Sequence, residues 1–248
     1  MRILAVFFLL WITTSLVVVA QGGEDGEMRD TDQRRKFAGG ENDPIFRALG
    51  ALKDERLEDA IVEAAQAFYS SQFADAHARI AAIMAKYPES AIGRTLYDFL
   101  LLMDGASLGF SGKCGPALAT LNRLQVRMEN GSEDTKADDL AGVMSLKIDI
   151  LETCGETNSA VSEMDALIDR FGSSDLPSVR WRVESAMQRK ALTLEQSGML
   201  EQAVAAYKSY VEKLRSNDGA ESATEENLKK ALRKLEELQR GGDTMKHD

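Results

Sequence analysis

Residues 183–214 read VESAMQRKALTLEQSGMLEQAVAAYKSYVEKL. Val183, Met187, Ala191 and Leu194 recur at helical spacing, so they share one face of a helix with polar residues opposite. Ser197-Gly198 interrupts the pattern, and glycine most readily takes the left-handed conformation that closes a helix. A second run then sets Leu200, Ala203, Val204, Tyr207, Tyr210, Val211 and Leu214 on one face. Two such helices joined by a tight turn form a helical hairpin. Ala191 and Ala203 are small where the two backbones come close, and large residues there would wedge them apart.

The same punctuation recurs along the chain. A small or Gly residue is followed five positions later by Ala, four later by a large apolar residue, and three later by another. The sets are Ser71/Ala76/Ile80/Ile83, Gly112/Ala117/Leu121/Leu124, Gly155/Ala160/Met164/Leu167 and Gly198/Ala203/Tyr207/Tyr210. The alanines lie 41, 43 and 43 residues apart, and a fixed period in this range marks stacked repeats. An all-α chain follows, an α-solenoid of about four hairpins. Helices are expected at 44–53, 56–70, 73–86, 91–104 or somewhat further, 115–129, 137–153, 158–171, 179–196, 200–215 and 223–239. The last carries Leu228, Ala231, Leu232, Leu235 and Leu238 on one face and would cover the open apolar end of the final hairpin, the cap that solenoids require. An interaction helix for a partner is the other use of such a stripe.

These units resemble the tetratricopeptide repeat family, whose pattern has a small residue in the first helix, a Gly turn, an Ala early in the second, an aromatic four on, and Pro at the exit. The unit with Ala191, Gly198, Ala203 and Tyr207 matches well, as does the first, with Ala64, Phe73, Ala76 and the ending Lys86-Tyr87-Pro88-Glu89-Ser90. That ending is similar to repeat endings in bacterial envelope members. The period exceeds the family's usual ~34 residues, the aromatic opening the first helix is absent, and Pro closes one unit only. The resemblance covers roughly Glu58 to Arg215 and implies a protein that binds other proteins.

Residues 1–20 carry Arg2 and then an almost wholly apolar run to Val19, with Val18-Val19-Ala20 offering a small-residue cleavage site. An export signal is expected, giving a periplasmic or secreted protein. An uncleaved membrane anchor is the alternative, since the run about reaches the shortest span of ~17 residues. Residues 21–43 hold few large apolar side chains and read as a disordered tether. Asp43-Pro44 opens the repeat domain, 44–240, with a capping residue and a first-turn Pro. A disordered tail, 241–248, follows it.

The two cysteines, Cys114 and Cys154, open the second helix of one unit and end the first helix of the next. In a right-handed stack of antiparallel hairpins those ends lie at one edge on adjacent helices, so a disulfide staple between repeats is expected in an exported chain. Two free thiols, or a redox or metal pair, are the other readings.

The raw material for catalysis is thin. The chain has 2 His: His77, expected on a helix surface beside Ala76, and His247 in the tail. Neither a histidine triad nor a multi-His metal site can be assembled. Paired carboxylates sit in tails, loops or helix starts, where solvation and the helix dipole account for them. Gly109-Phe-Ser-Gly112 fits no phosphate-binding fingerprint. The net charge of −10 opposes binding to nucleic acid, which needs clustered cations. No catalytic residue, metal or cofactor is expected.

The reading is therefore a non-enzymatic exported scaffold that docks another protein or peptide in the cell envelope. Candidate groove residues, chosen for lying off the packing face, are Asp149, Glu152, Gln188 and Glu195, an acidic set that would favour a neutral or basic segment. The alternatives are an accessory subunit held at a membrane through residues 3–20, and a binder of small ligands or cell-wall fragments using an irregular region near Gly105 to Gly112.

Overall fold

The computed structural model describes residues 44–130, 137–216 and 222–244. The export-signal and tether expectations lie outside them. Eleven helices and no strand are found among the described residues, so the all-α expectation holds. The chain divides into two compact units at Thr120/Leu121.

The first unit holds α1 (Pro44–Gly50), α2 (Glu55–Tyr69), α3 (Phe73–Lys86), α4 (Glu89–Ile92), α5 (Arg94–Phe110) and the opening turns of α6 (Cys114–Glu129). Asp54 caps α2, its carboxylate accepting from the N–H groups of Arg56 (3.0 Å) and Leu57 (3.3 Å), and Glu55 and Glu58 suit the positive end of the helix dipole. Leu57, Ile61, Ala64 and Ala65 are buried, against α3 with its buried Ala76, Ile80 and Ile83. α3 packs in turn on α5.

The sequence pattern places one helix from residue 91, but the structure breaks it. Gly93 sits at φ 83°, ψ 150°, a region open essentially to glycine, and separates the single turn α4 from α5. α5 then runs on through Phe110, and Gly105 to Gly109 are buried within it. The expected irregular region near Gly105 to Gly112 is thus mostly a buried helix that is apolar nearly all round, and only its last residues form a turn.

The second unit holds the rest of α6, α7 (Ala137–Thr153), α8 (Thr157–Phe171), α9 (Pro177–Gln196), α10 (Leu200–Ser216) and α11 (Ser222–Thr244). α7 packs on α8, α8 on α9, α9 on α10 and α10 on α11, while α9 also reaches back to α7. Pro177 opens α9 at a position where its missing N–H costs nothing. Ala191, Leu194, Ala203, Tyr207, Tyr210, Val211 and Leu214 form the core of the last hairpin, and Leu228, Leu232, Leu235 and Leu238 of α11 pack partly buried against it. α11 covers this end of the hairpin and runs to Thr244, beyond the expected boundary at 240.

One turn is built four times. Ser71, Gly112, Gly155 and Gly198 have φ of 60°, 76°, 73° and 74°. The N–H of the following residue donates to the carbonyl five back: Gln72 to Ala67, Lys113 to Leu108, Glu156 to Leu151 and Met199 to Leu194, each at 2.9 Å. The left-handed residue itself donates three back, to Phe68, Gly109, Glu152 and Glu195, at 2.9 to 3.0 Å. This is the Schellman closure. In each case the repeat alanine, Ala76, Ala117, Ala160 or Ala203, starts the next helix by donating to the carbonyl four back and is 0% exposed.

Candidate binding cleft

The end of the second unit carries a cleft of about 310 Å³. α9 forms one wall with Gln188 and Leu192, α10 the floor with Tyr207 and Tyr210, and α11 the other wall with Lys230, Arg233 and Lys234. These placements follow from helical spacing. Gln188 and Leu192 lie one turn apart on α9, and Tyr207 and Tyr210 share the α10 face that packs on α9. Burial pushes the Tyr210 phenol up to about 12, with the nearby Glu184 charge adding to the effect. Burial likewise raises Tyr207, helped by the hydrogen bond its hydroxyl donates to Glu195 at 2.8 Å.

The four candidate groove residues do not share one environment. Asp149 and Glu152, one turn apart on α7, converge on the Arg189 guanidinium of α9, each at 2.7 Å. Thr193 adds a 3.4 Å hydroxyl bond to Glu152. Burial would lower the affinity of Arg189 for its proton, but the two carboxylates outweigh it and raise the pKa. Glu195 accepts from Lys234 of α11 at 2.8 Å as well as from Tyr207. Burial pushes its carboxyl up, and these two bonds more than offset that, leaving it below the ordinary value. Gln188 alone of the four lines the cleft. Three carboxylates that look free by helical position are thus bound internally by cations from neighbouring helices. Arg189 and Lys234 read in sequence only as members of a charged face, and nothing in their own spacing names their partners.

Two other polar groupings went unread. Lys147 lies on the buried face of α7, its side chain 9% exposed, and donates to Glu163 of α8 at 2.9 Å and to Gln125 of α6 at 2.8 Å. His77 departs from its expected surface position: it is partly buried, and its Nδ1 lies 2.7 Å from an Asp104 oxygen of α5. The other Asp104 oxygen accepts from Thr120 at 3.4 Å. The pair ties α3 to α5.

A second, shallower depression of about 440 Å³ lies at the turn between α2 and α3, lined by Ser71, Gln72, Phe73, Asp75 and Ser111. The Phe73 and Phe110 rings stand 5.0 Å apart beside it. Neither cysteine is free: Cys114 and Cys154 are both disulfide-bonded. Among the described residues no three His, Cys, Asp or Glu side chains are placed to hold a metal ion, and no helix is long and apolar enough to cross a membrane. Comparison with known proteins finds no family model that matches the chain and no similar curated protein.

Proposed function

We propose that the chain is a non-enzymatic, exported scaffold of the tetratricopeptide-like kind, its hairpins stacked as one α-solenoid closed by α11, which docks another protein of the cell envelope. The observation that carries this reading is the fourfold turn, with a left-handed residue, a Schellman closure and a fully buried alanine at each repeat. A unit repeated in this way cannot bury its apolar face alone, so it stacks on its neighbours, and the surface left over serves recognition. The cleft between α9 and α11, whose rim holds the exposed Lys230 and Arg233, is the natural docking point. The disulfide-bonded cysteines favour an oxidising compartment.

The test is crosslinking of the full-length chain in its native envelope, followed by mass spectrometry of the captured peptides. The expected result is one reproducible protein partner whose crosslinks fall on α9 and α11. A chain that crosslinks to no protein, while a small solute raises its melting temperature in a saturable way, would overturn the scaffold reading in favour of a ligand-binding one.

A further inference from the structure

We infer that the cleft between α9 and α11 takes an acidic peptide segment of the partner, seating one large apolar side chain on the tyrosine floor while flanking carboxylates meet Lys230 and Arg233. This rests on the scaffold reading and specifies the chemistry of what is docked. Half-buried Leu192 and the edges of Tyr207, Tyr210 and Ala231, which are otherwise buried in the hairpin core, give the cleft an apolar base, and its volume of about 310 Å³ is at the small end for a ligand site, which suits one side chain of a peptide.

The charge at the rim runs against that of the chain. The protein carries a net charge of −10, yet Lys230, Arg233 and Lys234 line the cleft within five residues, and Glu237 is the one acid among its lining residues. Lys234 lies between Glu195 at 2.8 Å and Glu237 at 3.7 Å, so those carboxylates are already engaged. Lys230 pairs with Glu226 along the helix, with both side chains more than half exposed. Such a pair is worth at most about 1 kcal/mol and exchanges readily for a ligand carboxylate. Arg233 makes no ion pair among the described residues and offers a planar fork suited to carboxylates. The acids that a basic ligand would seek are spent, Asp149 and Glu152 on Arg189 and Glu195 on Lys234 and Tyr207. The preference is thus the reverse of the one the acidic groove residues suggest in sequence.

The experiment selects a displayed library of random dodecapeptides on the full-length chain, then measures the recovered peptides against wild type and Lys230→Glu/Arg233→Glu by fluorescence anisotropy. Both altered side chains lie off the core, and an unchanged helical melt checks that the variant folds. The expected peptides carry Asp or Glu on both sides of a Leu, Phe or Trp, and the double reversal weakens them by about tenfold or more, as expected for opposed charge at a docking site. Recovery of basic peptides, of peptides indifferent to the double variant, or of none would overturn the inference. So would co-sedimentation with phosphatidylglycerol vesicles that the double variant abolishes while no peptide binds, which would make the cationic rim a lipid contact. The scaffold reading falls separately, on the absence of a crosslinked partner, and survives if the partner crosslinks elsewhere.

Discussion

Ser71 occupies a position that glycine fills at the other three repeat turns, and it adopts φ 60° there. A side chain in the left-handed region costs roughly 1 kcal/mol, while glycine gives back part of that through its larger unfolded-state entropy. Ser71→Gly should therefore stabilise the first unit by about 0.5 to 1 kcal/mol, and Gly198→Ser should cost the second unit a similar amount. A Cβ at Gly198 meets nothing within 4 Å, so the loss would reflect backbone strain rather than a clash. Urea melts of the two variants measure both, and a destabilised Ser71→Gly would refute the assignment. Lys147 poses the opposite problem, an ammonium held in the core by Glu163. Removing one partner of a buried pair leaves the other uncompensated, so Glu163→Ala should cost about 3 kcal/mol while the paired loss in Lys147→Met/Glu163→Leu costs far less. A double variant that loses as much as Glu163→Ala would refute the claim that the uncompensated ammonium sets the cost, and a double-variant loss equal to the sum of the two single losses would show that the pair contributes no coupling.

At the scale of the element, α11 is fastened to α9 and α10 by leucines that remain only partly buried and by Lys234 on Glu195. The Glu195 carboxyl is held below its ordinary range by bonds that outweigh its burial. A depressed carboxylate contributes stability that is complete above the unfolded value, near ~4.3, and disappears as pH falls through the lower folded value. Wild type and Glu195→Gln should thus differ in melting temperature by a constant amount from neutral pH down to about 4.5, with the gap closing below it. A gap that persists undiminished at pH 3 would count against the assignment. Helix positions could be read from sequence because the apolar stripes are long and the closing glycines are unambiguous. α7 was expected at 137–153 and lies at Ala137–Thr153. The break at Gly93 escaped because an apolar pattern continues across it, and only the backbone reveals the φ and ψ that stop the helix. The cleft escaped for a related reason. Spacing along one helix tells which acids face away from its own packing side, but Arg189 and Lys234 reach them from other helices, and that pairing is a tertiary fact.

At the scale of the whole molecule, the bond between the two cysteines joins positions 40 residues apart in sequence. Closing a loop of that size removes unfolded-state freedom worth about 3 to 4 kcal/mol in the chain-entropy model, a mechanism that calorimetric accounts dispute. The prediction does not depend on which account holds, because both make the oxidised chain more stable. Cys114→Ser should melt well below wild type in oxidising buffer, wild type treated with reductant should fall to nearly the same temperature, and the variant itself should be indifferent to reductant. Scanning calorimetry of both chains under both conditions gives the four values needed. The variant under oxidising conditions removes the covalent link without exposing the protein to reductant, while reduced wild type keeps both sulfur atoms in place, so agreement between them isolates the bond from the local effect of replacing a half-buried thiol. Identical melting of wild type with and without reductant, at full reduction confirmed by thiol titration, would mean that the bond adds nothing to stability and that the helix contacts alone carry the fold.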